Sequence, residues 1–196
     1  MSVLKRACIS LVGTLIIGAG IGLFKQSALG TDACTAFNII LGERLGISLG
    51  STSLLMNCLY LTVPLFLARK YIHIGTLYSV VLTGYVIQFA SAALAAAFPA
   101  PATLLSQLLW LLPAVLVISF GIALYQKADL GIGPYDSLPL ILSERTKIPY
   151  FAARIGLDVL CALTAYLLGG TVGIGTVLCA LFLGPFIQFF SRLLPL

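Results

Sequence analysis

Two stretches of this chain repeat each other. Gly20 to Arg44 reads GIGLFKQSALGTDACTAFNIILGER, and Gly121 to Arg145 reads GIALYQKADLGIGPYDSLPLILSER. A constant offset of 101 aligns Gly20 with Gly121, Leu29-Gly30 with Leu130-Gly131, and Glu43-Arg44 with Glu144-Arg145. After a one-residue gap the offset becomes 100, and Ile74-Gly75-Thr76 then matches Ile174-Gly175-Thr176, with Ile87-Gln88-Phe89 matching Ile187-Gln188-Phe189. The chain is therefore one unit written twice, with repeat one over 7–97 and repeat two over 105–194. Whatever fold it adopts has to accommodate two copies of a polar, glycine-bearing segment.

Charge decides the solvent. Only 9% of the residues are charged and 60% are hydrophobic, whereas a soluble domain carries about 25% charged residues. So little charge cannot cover a water-facing surface. Apolar runs of about 18 residues or more recur, the length at which a helix crosses roughly 30 Å of hydrocarbon. They do not alternate in ten-residue segments as the strands of a membrane barrel would. The sequence predicts an all-α polytopic membrane protein with spans over Ala7–Phe24, Leu45–Ala68, Ile74–Ala97, Leu104–Tyr125, Tyr150–Leu168 and Ile174–Phe190. Gly18 and Gly22 have the small-residue spacing that lets helices approach closely in lipid. The run Phe98-Pro99-Ala100-Pro101-Ala102 separates the third and fourth spans.

Three spans per copy is an odd number, so the second copy enters the membrane from the opposite side. The expectation is a pair of inverted-topology repeats. The charges orient it. With the N-terminus inside, the inner segments hold Lys5, Arg6, Arg69, Lys70, Lys127, Arg145, Lys147, Arg154 and Arg192, against Lys25 and Arg44 outside. That bias places both termini in the cytoplasm. It also accounts for the net charge of +5, which then gives no reason to expect a nucleic-acid partner.

Each repeated segment reads as a glycine-bearing loop followed by a helix of about three turns, too short to span. Asp32 is a good N-cap. Gly133 followed by Pro134 supplies a cap and a proline at the first helical turn. Such a helix either dips into the membrane as a re-entrant element or lies along the interface. Irregular backbone at membrane depth survives only where protein packs it or a cavity is lined by it. A re-entrant half-helix would aim its N-terminal N–H groups at the midplane. Glu43-Arg44 and Glu144-Arg145 read as surface ion pairs in either arrangement.

Candidate site residues follow from the same alignment. Asn57 matches Asp158, and both fall roughly half-way along their spans. A carboxylate at that depth is costly and faces a cavity or a partner. Arg154, one turn before Asp158, either pairs with it to lock helices together or leaves it for a substrate or proton. Asp32, Asp136, Gly30, Gly131 and Gly133 belong to the two special loops and helix starts. Gln88 and Gln188 are a further matched polar pair, suited to a site or to interhelical hydrogen bonds. Ser51, Thr52 and Ser53 add polar groups near Asn57. Cys8, Cys34, Cys58, Cys161 and Cys179 form no CxxC or metal-ligand spacing, and His73 lies in a basic loop. No metalloprotease, phosphate-loop or nucleophile-elbow motif occurs. No enzyme, metal or cofactor is expected.

The run Ala128-Asp129-Leu130-Gly131-Ile132-Gly133-Pro134-Tyr135-Asp136 resembles the YczE/YyaS/YitT family of bacterial membrane proteins. The first copy, Ala28-Leu29-Gly30-Thr31-Asp32-Ala33, lacks the proline. The resemblance implies a bacterial inner membrane and little about substrate. The sequence reading is a small secondary transporter of an unidentified solute, with a midplane site between the repeats. The rivals are a substrate-capturing subunit of a larger membrane complex and a passive channel. Partners would be the lipid bilayer, a small-molecule substrate, and either a second copy of the chain or separate membrane subunits.

Overall fold

The computed structural model describes residues 2–194 and is helical throughout its regular structure. Eight α-helices follow in order: α1 Val3–Gln26, α2 Ala33–Leu45, α3 Leu49–Leu67, α4 Ile74–Ala97, α5 Leu104–Lys127, α6 Pro134–Thr146, α7 Tyr150–Leu167 and α8 Ile174–Leu193. Six of them, all but α2 and α6, are long and apolar enough to cross a membrane. The two exceptions have 13 residues each, about 20 Å at 1.5 Å per residue. The protein is thus a polytopic membrane protein. Large apolar side chains such as Phe66, Phe89, Leu105 and Ile174 stand exposed around the bundle, where lipid replaces water as the solvent.

Boundaries differ from the sequence reading at several helix ends: α1 begins at Val3 rather than Ala7, and α5 and α8 run on to Lys127 and Leu193. The first span continues through Lys25 to Gln26, where the chain turns at Ser27. The second begins at Leu49, because Leu45 ends α2 and Gly46 takes a left-handed C-cap conformation at φ 67°. Lys147 closes α6 in the same way, at φ 61°. Serine and threonine hydroxyls inside the spans bond back to carbonyls one turn earlier. Thr14 to Ser10 at 3.0 Å and Ser119 to Val115 at 2.7 Å are examples. This satisfies a polar group where no water is available.

The centre of the bundle is the contact of α1 with α5. These helices run antiparallel: Arg6 meets Ala128 and Asp129, and Gly13 faces Tyr125. Gly20 faces Ile118, while Gly121 faces Ile17. The last two contacts exchange places when the copies are exchanged. Glycine sets the distance. A Cβ on Gly20 would stand 2.8 Å from the Ile118 side chain, and one on Gly121 would stand 3.0 Å from Ile17. α4 lies on α1 at Gly18 and Gly22, which face Val86 and Ala90, and α8 packs on α5. The buried core of Ile17, Ile21, Phe24, Leu111, Ile118, Ile122, Leu183 and Ile187 fills these contacts.

The polar loops cross over between copies. Gly175 N–H, at the start of α8, donates to the Leu29 carbonyl at 2.9 Å. Gly75 N–H, at the start of α4, donates to the Leu130 carbonyl at 2.7 Å. Each loop of one copy is therefore pinned to a helix start of the other. The short helices cross over too, with α2 packing on α7 and α6 packing on α3.

The Glu-Arg motifs are not internal ion pairs. Arg44 donates to the Leu168 carbonyl at 2.9 Å, and Arg145 donates to the Leu67 carbonyl at 3.1 Å. Each ties the end of a short helix to the end of a spanning helix in the other copy, a use of arginine at a helix C-terminus. Glu144 instead accepts from Lys70 at 2.7 Å and Tyr71 at 2.6 Å. The hydrogen bond from Lys70, and then that from Tyr71, hold its carboxyl below the ordinary value.

Candidate functional site

One cavity of about 80 Å³ lies where the two short helices begin. From α2 and its cap come Asp32, Cys34, Thr35 and Asn38; from α6 and its cap come Gly133, Tyr135 and Asp136. Ser53 and Asn57 of α3, Ser79 and Thr83 of α4 and Arg154 of α7 complete the polar wall. Ile17, Ile21, Ile87, Ile118, Ile122 and Leu183 form the apolar wall.

The geometry follows from the helix caps. Asp32 adopts extended backbone angles, and its carboxylate accepts the Thr35 N–H at 3.0 Å and the Thr31 hydroxyl at 3.4 Å. In the second copy Gly133 occupies the cap position and Pro134 the first helical position. Without a side chain there, the Gly133 N–H is free to donate to the Tyr125 hydroxyl at 2.8 Å. That hydroxyl donates in turn to Asp136 at 2.6 Å.

Asp136 and Asp158 share one cation. Arg154 Nη1 lies 2.5 Å from Asp136 Oδ1, and Arg154 Nε lies 3.1 Å from Asp158 Oδ2. Asp158 also accepts the Tyr135 hydroxyl at 2.6 Å. The guanidinium lies over the Tyr135 ring, 5.1 Å from its centroid, a cation–π placement. The side chains of Arg154 and Asp158 are each 5% exposed and that of Asp136 is 16% exposed. This is a buried triad of one cation and two carboxylates, in which each charge has a partner of opposite sign. The guanidinium is the member whose loss costs most, because removing it strands two buried carboxylates.

The predicted residues are therefore sorted by the fold. Asp32, Asn57, Gly133, Asp136 and Arg154 line the cavity together. Asp158 does not reach it and stands behind Arg154 and Tyr135. Asn57 and Asp158 are each the ninth residue of their helices, as the alignment of the copies requires.

Gly30 and Gly131 lie at the loop crossings, with φ of 111° and 98°, where Thr176 and Thr76 press against them. Gln88 is exposed and accepts the Gly50 N–H at 3.1 Å at the start of α3. Gln188 is exposed on α8. Neither glutamine lines the cavity. Ser51 and Thr52 turn to the Ser48 cap, leaving Ser53 as the hydroxyl that reaches the site.

Tyr125, Tyr135, Asn38, Ser79 and Thr83 were not singled out by the sequence reading. A signal for them existed. At the offsets that align the repeats, they stand opposite Phe24, Cys34, Pro139, Cys179 and Leu183. At each of these five positions the two copies differ in side-chain chemistry, and the member named first lines or adjoins the cavity.

A model for a family of unknown function, DUF6198, matches residues 4–192. An uncharacterised protein of Haemophilus influenzae is 31% identical over 192 residues, covering 97% of this chain and 85% of that one. The uncharacterised membrane protein YczE of Bacillus subtilis is 30% identical over 178 residues, covering 90% of this chain and 81% of its own. YyaS of Bacillus subtilis, also uncharacterised, is 29% identical over 167 residues, or 85% and 83% of the two chains. No solved structure matches the chain.

Proposed function

The chain belongs to the DUF6198 family of membrane proteins, together with YczE and YyaS, and from that premise we propose that it is a small secondary transporter whose solute binds in the cavity between the two repeats. The observation that carries the reading is the convergence of both short helices on one cavity by their N-terminal turns. Broken or short helices that meet end-on at a central site are the recurring device by which transporters hold a solute.

In this reading the repeats are inverted, and α2 and α6 are re-entrant. The antiparallel contact of α1 with α5 and the exchanged pairs Gly20–Ile118 and Ile17–Gly121 support it. So does the distribution of charge. The end of the bundle that carries Arg6 and Asp129 also carries Lys5, Arg69, Lys70, Lys127, Arg145, Lys147 and Arg192. Lys25 and Arg44 lie at the other end. Arg154 leaves the count of inner-loop charges, because it is buried in the site. The remaining bias supports a reading with both termini in the cytoplasm of a bacterium and the chain in its inner membrane. No catalytic role is assigned to any residue.

The test is reconstitution. Purified protein in liposomes loaded with a mixture of small metabolites should redistribute one or a few of them across the membrane, followed by mass spectrometry, while protein-free vesicles do not. Rates that saturate with solute concentration mark a carrier, and rates linear in concentration mark a channel. A protein that moves nothing alone and purifies with other membrane subunits would make it the capturing component of a complex.

A further inference from the structure

We propose that the solute is a small organic cation, a primary ammonium on a short apolar body; this rests on the cavity being the solute site. Three features of the cavity point there. The first is its charge. Arg154 is the basic side chain of the wall, and Asp136 and Asp158 already occupy it. That triad carries one more negative charge than positive. Asp32 adds a further carboxylate, and among the described residues it belongs to no ion pair. An anion entering the cavity would find two carboxylates in its wall, Asp32 and Asp136, and an Arg154 already paired, so its binding would be opposed.

The second feature is an unused acceptor. Asn38 is 6% exposed and lines the cavity. Its amide nitrogen donates to the Ser53 hydroxyl at 3.3 Å, and its Oδ1 has no hydrogen-bond partner. A buried carbonyl oxygen left without a donor is destabilising, and an ammonium supplies three donors and no acceptor. Asn38 and Asp32 sit six residues apart on one short helix and its cap, and both face the same space.

The third feature is the opposite wall. Ile17, Ile21, Ile118, Ile122 and Leu183 offer only hydrocarbon. At 80 Å³ against roughly 10–15 Å³ for one water, the space takes a molecule of about five heavy atoms. A lining that combines two carboxylates and the Asn38 carbonyl with hydrocarbon suits a short alkyl chain with a cationic head.

The experiment measures binding of three probes of similar size, n-propylammonium, 1-propanol and propionate, by calorimetry on the full chain in nanodiscs near neutral pH. The expected result is at least a tenfold preference for the ammonium over the alcohol, with propionate the weakest. Asp32→Asn keeps a good helix cap and should abolish that preference. Asn38→Leu should weaken the ammonium several-fold, and Asp129→Asn, which changes an exposed carboxylate, should leave all three unchanged. Equal binding of the three probes, tighter propionate, or an undiminished preference in Asp32→Asn would overturn the proposal. If Asp32→Asn fails to assemble, the wild-type ranking and Asn38→Leu decide. Ammonium binding without flux in liposomes would keep the cation site and remove the transporter. Flux of an anion or neutral solute without ammonium preference would keep the transporter and remove the cation site.

Discussion

Arg154 reaches from α7 to Asp136 on α6 while holding Asp158 one turn further along its own helix, at 2.5 Å and 3.1 Å. Read on its own helix, arginine before aspartate is the weaker order for an i,i+4 pair. The contact to α6 supplies what the helix alone does not. It ties a short helix to a spanning helix of the same copy, within the cavity wall.

That arrangement predicts unequal losses at the two carboxylates. Asp158→Asn leaves Arg154 still paired with Asp136, so it should cost only about 1–3 kcal/mol, the loss of a hydrogen-bonded partner. Arg154→Ala strands two buried carboxylates and should cost roughly 3–5 kcal/mol or prevent assembly. Adding Asp158→Asn to Arg154→Ala should return part of that loss. Thermal unfolding of the three variants in detergent checks the order, and a more damaging Asp158→Asn than Arg154→Ala would contradict it.

Tyr125 joins Gly133 and Asp136 through one hydroxyl, and its counterpart in the first copy is Phe24. The ring alone therefore fits the packing. Tyr125→Phe should fold, lose about 1–3 kcal/mol from the unmet Gly133 N–H and Asp136 acceptor, and lower solute flux several-fold. Flux at the wild-type rate from a normally folded Tyr125→Phe protein would show that this hydroxyl is structural only.

Two glycines at positive φ should respond differently to an added side chain. Gly131 has φ 98°, and a Cβ there would lie 2.6 Å from the Thr76 hydroxyl and 2.8 Å from the His73 nitrogen. Both strain and collision oppose it, so Gly131→Ala should cost well over 2 kcal/mol. Gly46 has φ 67° with nothing within 4 Å of a built Cβ, and its counterpart is Lys147 at φ 61°. Gly46→Lys should cost about 1 kcal/mol. Expression and melting temperature of the two variants compare them.

The topology reading places Ser2 and Thr103 on opposite sides. They precede the antiparallel helices α1 and α5. Single cysteines at these positions, in a chain stripped of its five native cysteines, should be labelled by an impermeant reagent in intact cells at Thr103 and not at Ser2. Labelling at Ser2 from outside would reverse the assigned orientation.

The sequence by itself determined the number of spans and the stretch in which each lies, because a run of low-charge residues can be satisfied in lipid only as a helix. It also determined that there are two copies, and the cap residues that start α2 and α6, since Asp32 and Gly133-Pro134 act through backbone within one turn. Part of the apolar wall can be read off the repeat, as Ile17 and Ile21 recur as Ile118 and Ile122. What only the tertiary structure decided is which charges meet. Arg154 finds Asp136 on another helix 18 residues away in the chain, and no local spacing encodes that distance. The crossing of loops between copies, through Gly75 to Leu130 and Gly175 to Leu29, brings Asp32 and Asp136 to one cavity while leaving Asp158 behind the wall. Depth along a helix can be counted from the sequence. The direction in which a side chain faces is set by the helices packed around it.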